Sequence, residues 1–200
     1  MLFRLWRPKR KGIPKHKADP ERPSKPQLAR ELLCLLAARL RTIHMVGDAA
    51  YATGAFADLP ENVTITSRLK ANATLHQLPP PRPPKGQRTR GRPPTKGAQL
   101  PKLDQIATDR ATKWVKTTVR RYGKTERVMV YAMKCLWYDA FGSQPVQVVI
   151  IQDTTKPSGY ELALVSTDLQ ASAAQLIERY ADQSSGWRAT AANSKGLGLS

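Results

Sequence analysis

The chain holds only two cysteines and three histidines in 200 residues. Cys34 and Cys135 lie far apart, so neither a disulfide framework nor a cysteine-based zinc site is encoded, and both read as small buried hydrophobes. His16, His44 and His76 share no spacing that would assemble a metal cluster. No apolar run approaches the roughly 20 residues of a membrane-spanning helix. The opening MLFRLWRPKRKG is basic, but its apolar part is too short for a signal-peptide core, and the expected compartment is the cytosol. Acidic side chains are also scarce. Fifteen Asp and Glu stand against 33 Lys and Arg, and the formal charge of +18 selects a polyanionic partner, nucleic acid before membrane.

What is present suffices for one modest core, with 40% hydrophobic residues. Leu28, Leu32, Leu35, Leu36 and Leu40 recur at helical spacing, and Ser24 with Pro26 supplies a start signal, so a helix is predicted over 27–40. Short β-prone runs at 42–46 and 63–66 flank a predicted helix at 52–59, the order of an α/β unit. Residues 77–104 carry eight of the sixteen prolines and no apolar pattern, which predicts a loop without a core. TKWVKTTVRRY and RVMVYAMKCLWYDA read as a hairpin joined at Gly123-Lys124, residues 146–151 as a buried central strand, and 160–166 as one more strand. A last helix is predicted from Asp168, with Leu169, Ala173, Leu176, Ile177 and Tyr180 on one face, and its pattern stops after Asp182.

VGDAAYATGAF, TITSRLKANATL and PPPRPPKGQRTRGRPPTKG together resemble the middle of DDE-type DNA transposases of the IS4/IS701 insertion-sequence families, and the likeness runs from about Leu5 to Asp182. The resemblance implies an α/β fold, an RNase H-like core with a β-rich insertion, here incomplete at both ends. On that reading residues 1–27 are a basic, proline-rich arm and 28–182 a partial catalytic core. Within the core, 76–104 form a Pro/Arg-rich loop and 110–166 the β-rich insertion and core strands, while 183–200 are a disordered tail outside the family pattern. Asp48, in Gly47-Asp48-Ala49-Ala50-Tyr51, corresponds to the second of three metal-binding carboxylates; by spacing alone it would be a cap or turn residue. The implied cofactor is Mg²⁺, held in pairs roughly 3.5 to 4 Å apart so that an attacking and a leaving oxygen are both stabilised.

The departures from the family matter equally. Nothing in residues 1–47 supplies the first Asp, since Asp19 stands in a proline-rich loop with no strand before it. The third carboxylate should follow Tyr180 in a pattern of Tyr, two residues, Arg, three residues, Glu; those positions hold Gln183 and Trp187. A truncation or frameshift accounts for the break. Asp153, before Thr154 and Thr155, imitates a catalytic turn but reads as a structural one, and Glu178 reads as an exposed helix residue.

Arg90-Gly91-Arg92-Pro93 resembles an AT-hook core, whose two arginines enter a narrow minor groove. The same sequence also fits a merely solvated linker. Arg82, Lys85, Arg88, Arg90, Arg92 and Lys96 form one candidate DNA-binding patch. Lys113, Lys116, Arg120 and Arg121, with Lys124 and Arg127, form a second, on a hairpin that could pack on one face and meet DNA on the other. Three expectations follow. The first is a transposase fragment whose parent performs Mg²⁺-dependent strand cleavage and transfer; the second is a noncatalytic DNA-binding derivative that meets insertion-sequence ends, or full-length transposase, at the nucleoid. The third is a basic structural or RNA-associated protein.

Overall fold

The computed structural model describes residues 23–80 and 94–194, with side chains as far as Gln183. Asp19 and most of the arm, and the segment with Arg82, Lys85, Arg88, Arg90 and Arg92, lie outside the described residues.

Helix α1 spans Lys25–Ala37. It begins where the sequence places it, because Ser24 and Gln27 cap each other: the Ser24 N–H donates to Gln27 Oε1 at 2.7 Å and the Gln27 N–H to Ser24 Oγ at 3.4 Å. Strands β1 (Ile43–Gly47) and β2 (Val63–Arg68) follow and pair in parallel. The helix predicted between them is absent; only a 3₁₀ turn, Gly54–Phe56, forms there. Arg30 of α1 ties the segment down in this form, its guanidinium donating to the carbonyls of Ala55, Ala57 and Asp58, and Asp58 takes a positive φ of 53° that an α-helix does not contain. Phe56, fully buried, anchors the turn.

The proline-rich stretch is tied down at its edges, contrary to the expectation that no part of it packs. His76 exchanges two backbone hydrogen bonds with Leu136, and the Gly97 N–H donates to the Gln77 carbonyl at 2.9 Å. A Cβ at Gly97 would stand 2.7 Å from the Leu78 carbonyl oxygen, so only glycine allows this approach. Helix α2 (Leu103–Thr108) closes the stretch and buries Leu103, Ile106 and Ala107, an i, i+3, i+4 set that the preceding prolines obscure in the sequence.

Strands β3 (Val115–Arg121) and β4 (Lys124–Leu136) are the expected hairpin. Its turn is one residue earlier than predicted: Tyr122 and Gly123 both have positive φ, 53° and 78°, as a two-residue type I′ connection requires. A short helix α3 (Tyr138–Phe141) replaces the last residues of the predicted second strand. Strands β5 (Pro145–Gln152) and β6 (Tyr160–Ser166) complete one six-stranded sheet in the order β1-β2-β6-β5-β4-β3, all pairs antiparallel except β1 with β2.

Both faces of the sheet are covered. On one, Ile65, Val148, Ile150, Ala163 and Val165 pack against Leu33 of α1, Phe56, Ile106 of α2 and Phe141 of α3. On the other, Val119, Val130, Ile151 and Leu164 pack against Leu176 and Ile177 of helix α4 (Ala173–Ser194). Contact of α4 with β3 at one edge and β1 at the other means that the sheet curls around it. The cap of α4 is Ser172, which accepts from the Gln175 N–H at 3.2 Å. Asp168, the predicted nucleation point, instead closes the turn before it through the N–H groups of Gln170 and Ala171. The α4 backbone continues past Asp182, where the apolar pattern stops, to Ser194.

Candidate functional site

Asp48 stands immediately after β1, exposed, at the edge of the sheet. The residues around it show why the Gly-Asp-x-x-Tyr spacing is used. Tyr51 folds back over Gly47, whose missing Cβ would lie 3.0 Å from Tyr51 Cβ, and its ring meets Phe56 at 6.3 Å. Asp48 is thereby turned outward while its backbone is clamped: the Tyr51 N–H and the Ser67 hydroxyl donate to its carbonyl oxygen, at 3.1 and 2.7 Å. Its Oδ1 accepts the Ala50 N–H at 2.9 Å, so the carboxylate also does the turn work that spacing alone suggested.

The pairing of Gly47 with Ser67 puts Arg68 beside Asp48 at the ends of two parallel strands. Arg68 pairs with Leu164 across the sheet and so belongs to the face that α4 covers. Burial holds the phenol of Tyr180, on α4, above the usual range, against the pull of Arg68, with smaller contributions from Tyr122 and Asp48 in the upward direction. Sequence reading passed over Arg68, although the strand pattern TITS followed by Arg marks it as a strand-end residue.

A second cluster occupies the same face. Asp168 Oδ2 accepts from Arg179 at 2.8 Å, and His44 Nδ1 lies 4.0 Å from the same oxygen and 2.6 Å from Thr64 Oγ1. Burial pulls the Asp168 carboxyl up, but Arg179 and the Gln170 and Ala171 amides outweigh it and hold the group below the usual range.

No group of three His, Cys, Asp or Glu side chains comes together among the described residues. The carboxylates of the described residues therefore do not fit a two-ion Mg²⁺ centre, which needs several acids converging on one point. Asp153 is a turn residue, accepting from the Thr155 N–H and hydroxyl at 3.0 and 2.6 Å. Glu178 is not the exposed residue expected; half-buried, its Oε1 accepts the backbone N–H of Arg120 at 2.9 Å and so satisfies a donor on the edge strand β3. Gln183 and Trp187, at the Arg and Glu positions of the family pattern, both fall within α4. Of the cysteines, Cys135 is buried as expected, whereas Cys34 on α1 is exposed.

The hairpin separates the basic residues predicted on it. Lys116, Arg120 and Arg127 are exposed and, by strand alternation, share one face, away from α4. No ion pair with a carboxylate joins these three among the described residues. Arg121 is on the other face, its guanidinium bound to Glu126 and, through two N–H groups at 2.9 Å each, to Glu161. Burial works against its charge, but the two carboxylates raise its pKa further above the ordinary arginine value. Arg121, placed by the sequence in the candidate DNA-binding patch, is thus committed to two carboxylates. Lys113 is exposed at the start of the hairpin, and Lys96, also exposed, stands 5.3 Å from the centre of the Tyr138 ring.

No helix among the described residues is long and apolar enough to cross a membrane. Neither the curated proteins nor the solved structures yield a match. The family model of the DDE superfamily endonuclease matches residues 3–134, from the arm through most of β4, and so spans β1, Asp48, β2 and the hairpin. The chain belongs to the DDE superfamily endonuclease family.

Proposed function

We propose that this chain is the DNA-binding portion of a transposase of the IS4/IS701 kind, whose parent activity is Mg²⁺-dependent strand cleavage and transfer at insertion-sequence ends. Asp48 is the second carboxylate of the parent's triad, and the core is RNase H-like. The observation that carries the reading is the position of Asp48: exposed, one residue past the end of a parallel edge strand, with α4 crossing the same strand. A sheet edge holds a carboxylate rigidly enough for metal-assisted phosphoryl transfer. By itself one carboxylate cannot fix two Mg²⁺ ions against their hydration, so the chain binds DNA and does not cut it. Lys113, Lys116, Arg120 and Arg127 supply the hairpin contacts; Arg82, Lys85, Arg88, Arg90, Arg92 and Lys96 supply those of the proline-rich segment. Binding without catalysis also makes the chain a competitor of full-length transposase for its ends. Separating binding from cleavage on one supercoiled plasmid, with and without Mg²⁺, tests this.

A further inference from the structure

The geometry points to Arg68 as the side chain that grips a DNA phosphate beside Asp48. This rests on the reading that the chain binds DNA. Among the residues whose side chains are described, three arginines belong to the α4 side of the sheet or to α4 itself. Arg121 is committed to Glu126 and Glu161, and Arg179 to Asp168. Arg68 is the third, exposed, and no ion pair joins it to a carboxylate among the described residues.

Its position is fixed by backbone. The parallel pairing of Gly47 with Ser67, reinforced by the Ser67 hydroxyl on the Asp48 carbonyl, locks the two strand ends side by side. A guanidinium there offers a planar fork of donors matched to the oxygens of a phosphodiester. An acid and a cation thus stand side by side where a backbone phosphate would have to lie for Asp48 to act on it. Without a metal, Asp48 repels that phosphate and Arg68 offsets the repulsion.

The test is a titration of the full chain with a short DNA duplex in EDTA, between 50 and 200 mM salt. Arg68→Ala is expected to weaken binding roughly tenfold, the loss of one charge-assisted contact. It should also reduce the salt slope by about one. Arg68→Lys should restore the slope, because the charge returns. Asp48→Asn, which keeps the acceptor for Ala50, should tighten binding, and this gain should change when Arg68 is alanine. Unaltered affinity and slope in Arg68→Ala, with normal binding by the wild type, would overturn this inference and leave DNA binding by the hairpin intact. A wild-type chain without salt-dependent binding would overturn both.

Discussion

Arg121 and Glu161 face each other with two parallel N–H to oxygen contacts of 2.9 Å, joining the end of β3 to the start of β6 across the two strands that separate them in the sheet. The first half of β4 extends past the last residue paired with β5, so this part of the hairpin is held by β3, by α4 through Glu178 and the packing of Val119 and Val128, and by this clasp. The arginine side chain is 10% exposed, too enclosed to serve as a phosphate contact.

Arg121→Ala should therefore destabilise the fold by about 2 kcal/mol, since hydrogen bonds to charged partners are worth roughly 1.5 to 3 kcal/mol. The loss in Glu161→Gln should be smaller, and the double variant should lose less than the sum. Chemical denaturation of the three variants measures this; additive losses would show that the two side chains do not act together.

The DNA contacts should divide by face of the hairpin. Replacing Lys116, Arg120 and Arg127 together by alanine is expected to reduce the slope of binding against salt by about three, at roughly one phosphate per charge. Arg121→Ala, measured below its own melting range, should leave the slope as in the wild type. Equal slope changes from the two proteins would contradict the assignment of faces.

Why one of two adjacent arginines is buried was only half legible in the sequence. Alternation in a strand puts Arg120 and Arg121 on opposite faces, but Glu161, the partner that selects Arg121, is distant in the chain and placed by sheet order alone. The strands and α1 were legible because their apolar residues recur with period two or 3.6 and their ends carry turn or cap residues. The false helix at 52–59 was lost to a turn that Arg30, distant in sequence, ties down by its backbone carbonyls, with Asp58 at positive φ, and α2 was hidden among prolines. At the site, the motif marked Asp48, whereas Arg68 became visible only with the register of β1 and β2. Glu178 was misjudged because its acceptor role belongs to an edge strand that packs against α4 from far along the chain.

Asp168 predicts an acid response. Its folded carboxyl lies below the ordinary value, so its contribution to stability is present above the unfolded pKa of about 3.9 and is lost as pH falls through that value toward the folded one. Asp168→Asn should be less stable than the wild type at neutral pH, and the gap should narrow as pH drops below about 4. Melting curves across this range report the gap; a constant difference would assign the loss to packing instead.

The two cysteines should react at very different rates. Cys34 is exposed, whereas Cys135 is fully buried and its thiol is pushed up to about 12. A thiol reagent at pH 8 should label Cys34 rapidly and Cys135 only on unfolding, because the thiolate is the reactive form. Peptide mass analysis of the labelled protein distinguishes the sites, and early labelling of Cys135 would contradict the packing around β4 and β5.

The central proposal is that this chain binds DNA through its basic residues and, with Asp48 in no group of three acids among the described residues, does not cut it. Supercoiled plasmid incubated with the purified chain and Mg²⁺ reads this directly, with retardation in a gel as the measure of binding and relaxation as the measure of cleavage. The expected result is retardation at low salt and no relaxation above a protein-free control, by the wild type and by Asp48→Ala alike. Mg²⁺-dependent relaxation by the wild type that disappears in Asp48→Ala would contradict the account and show that other acids complete the site.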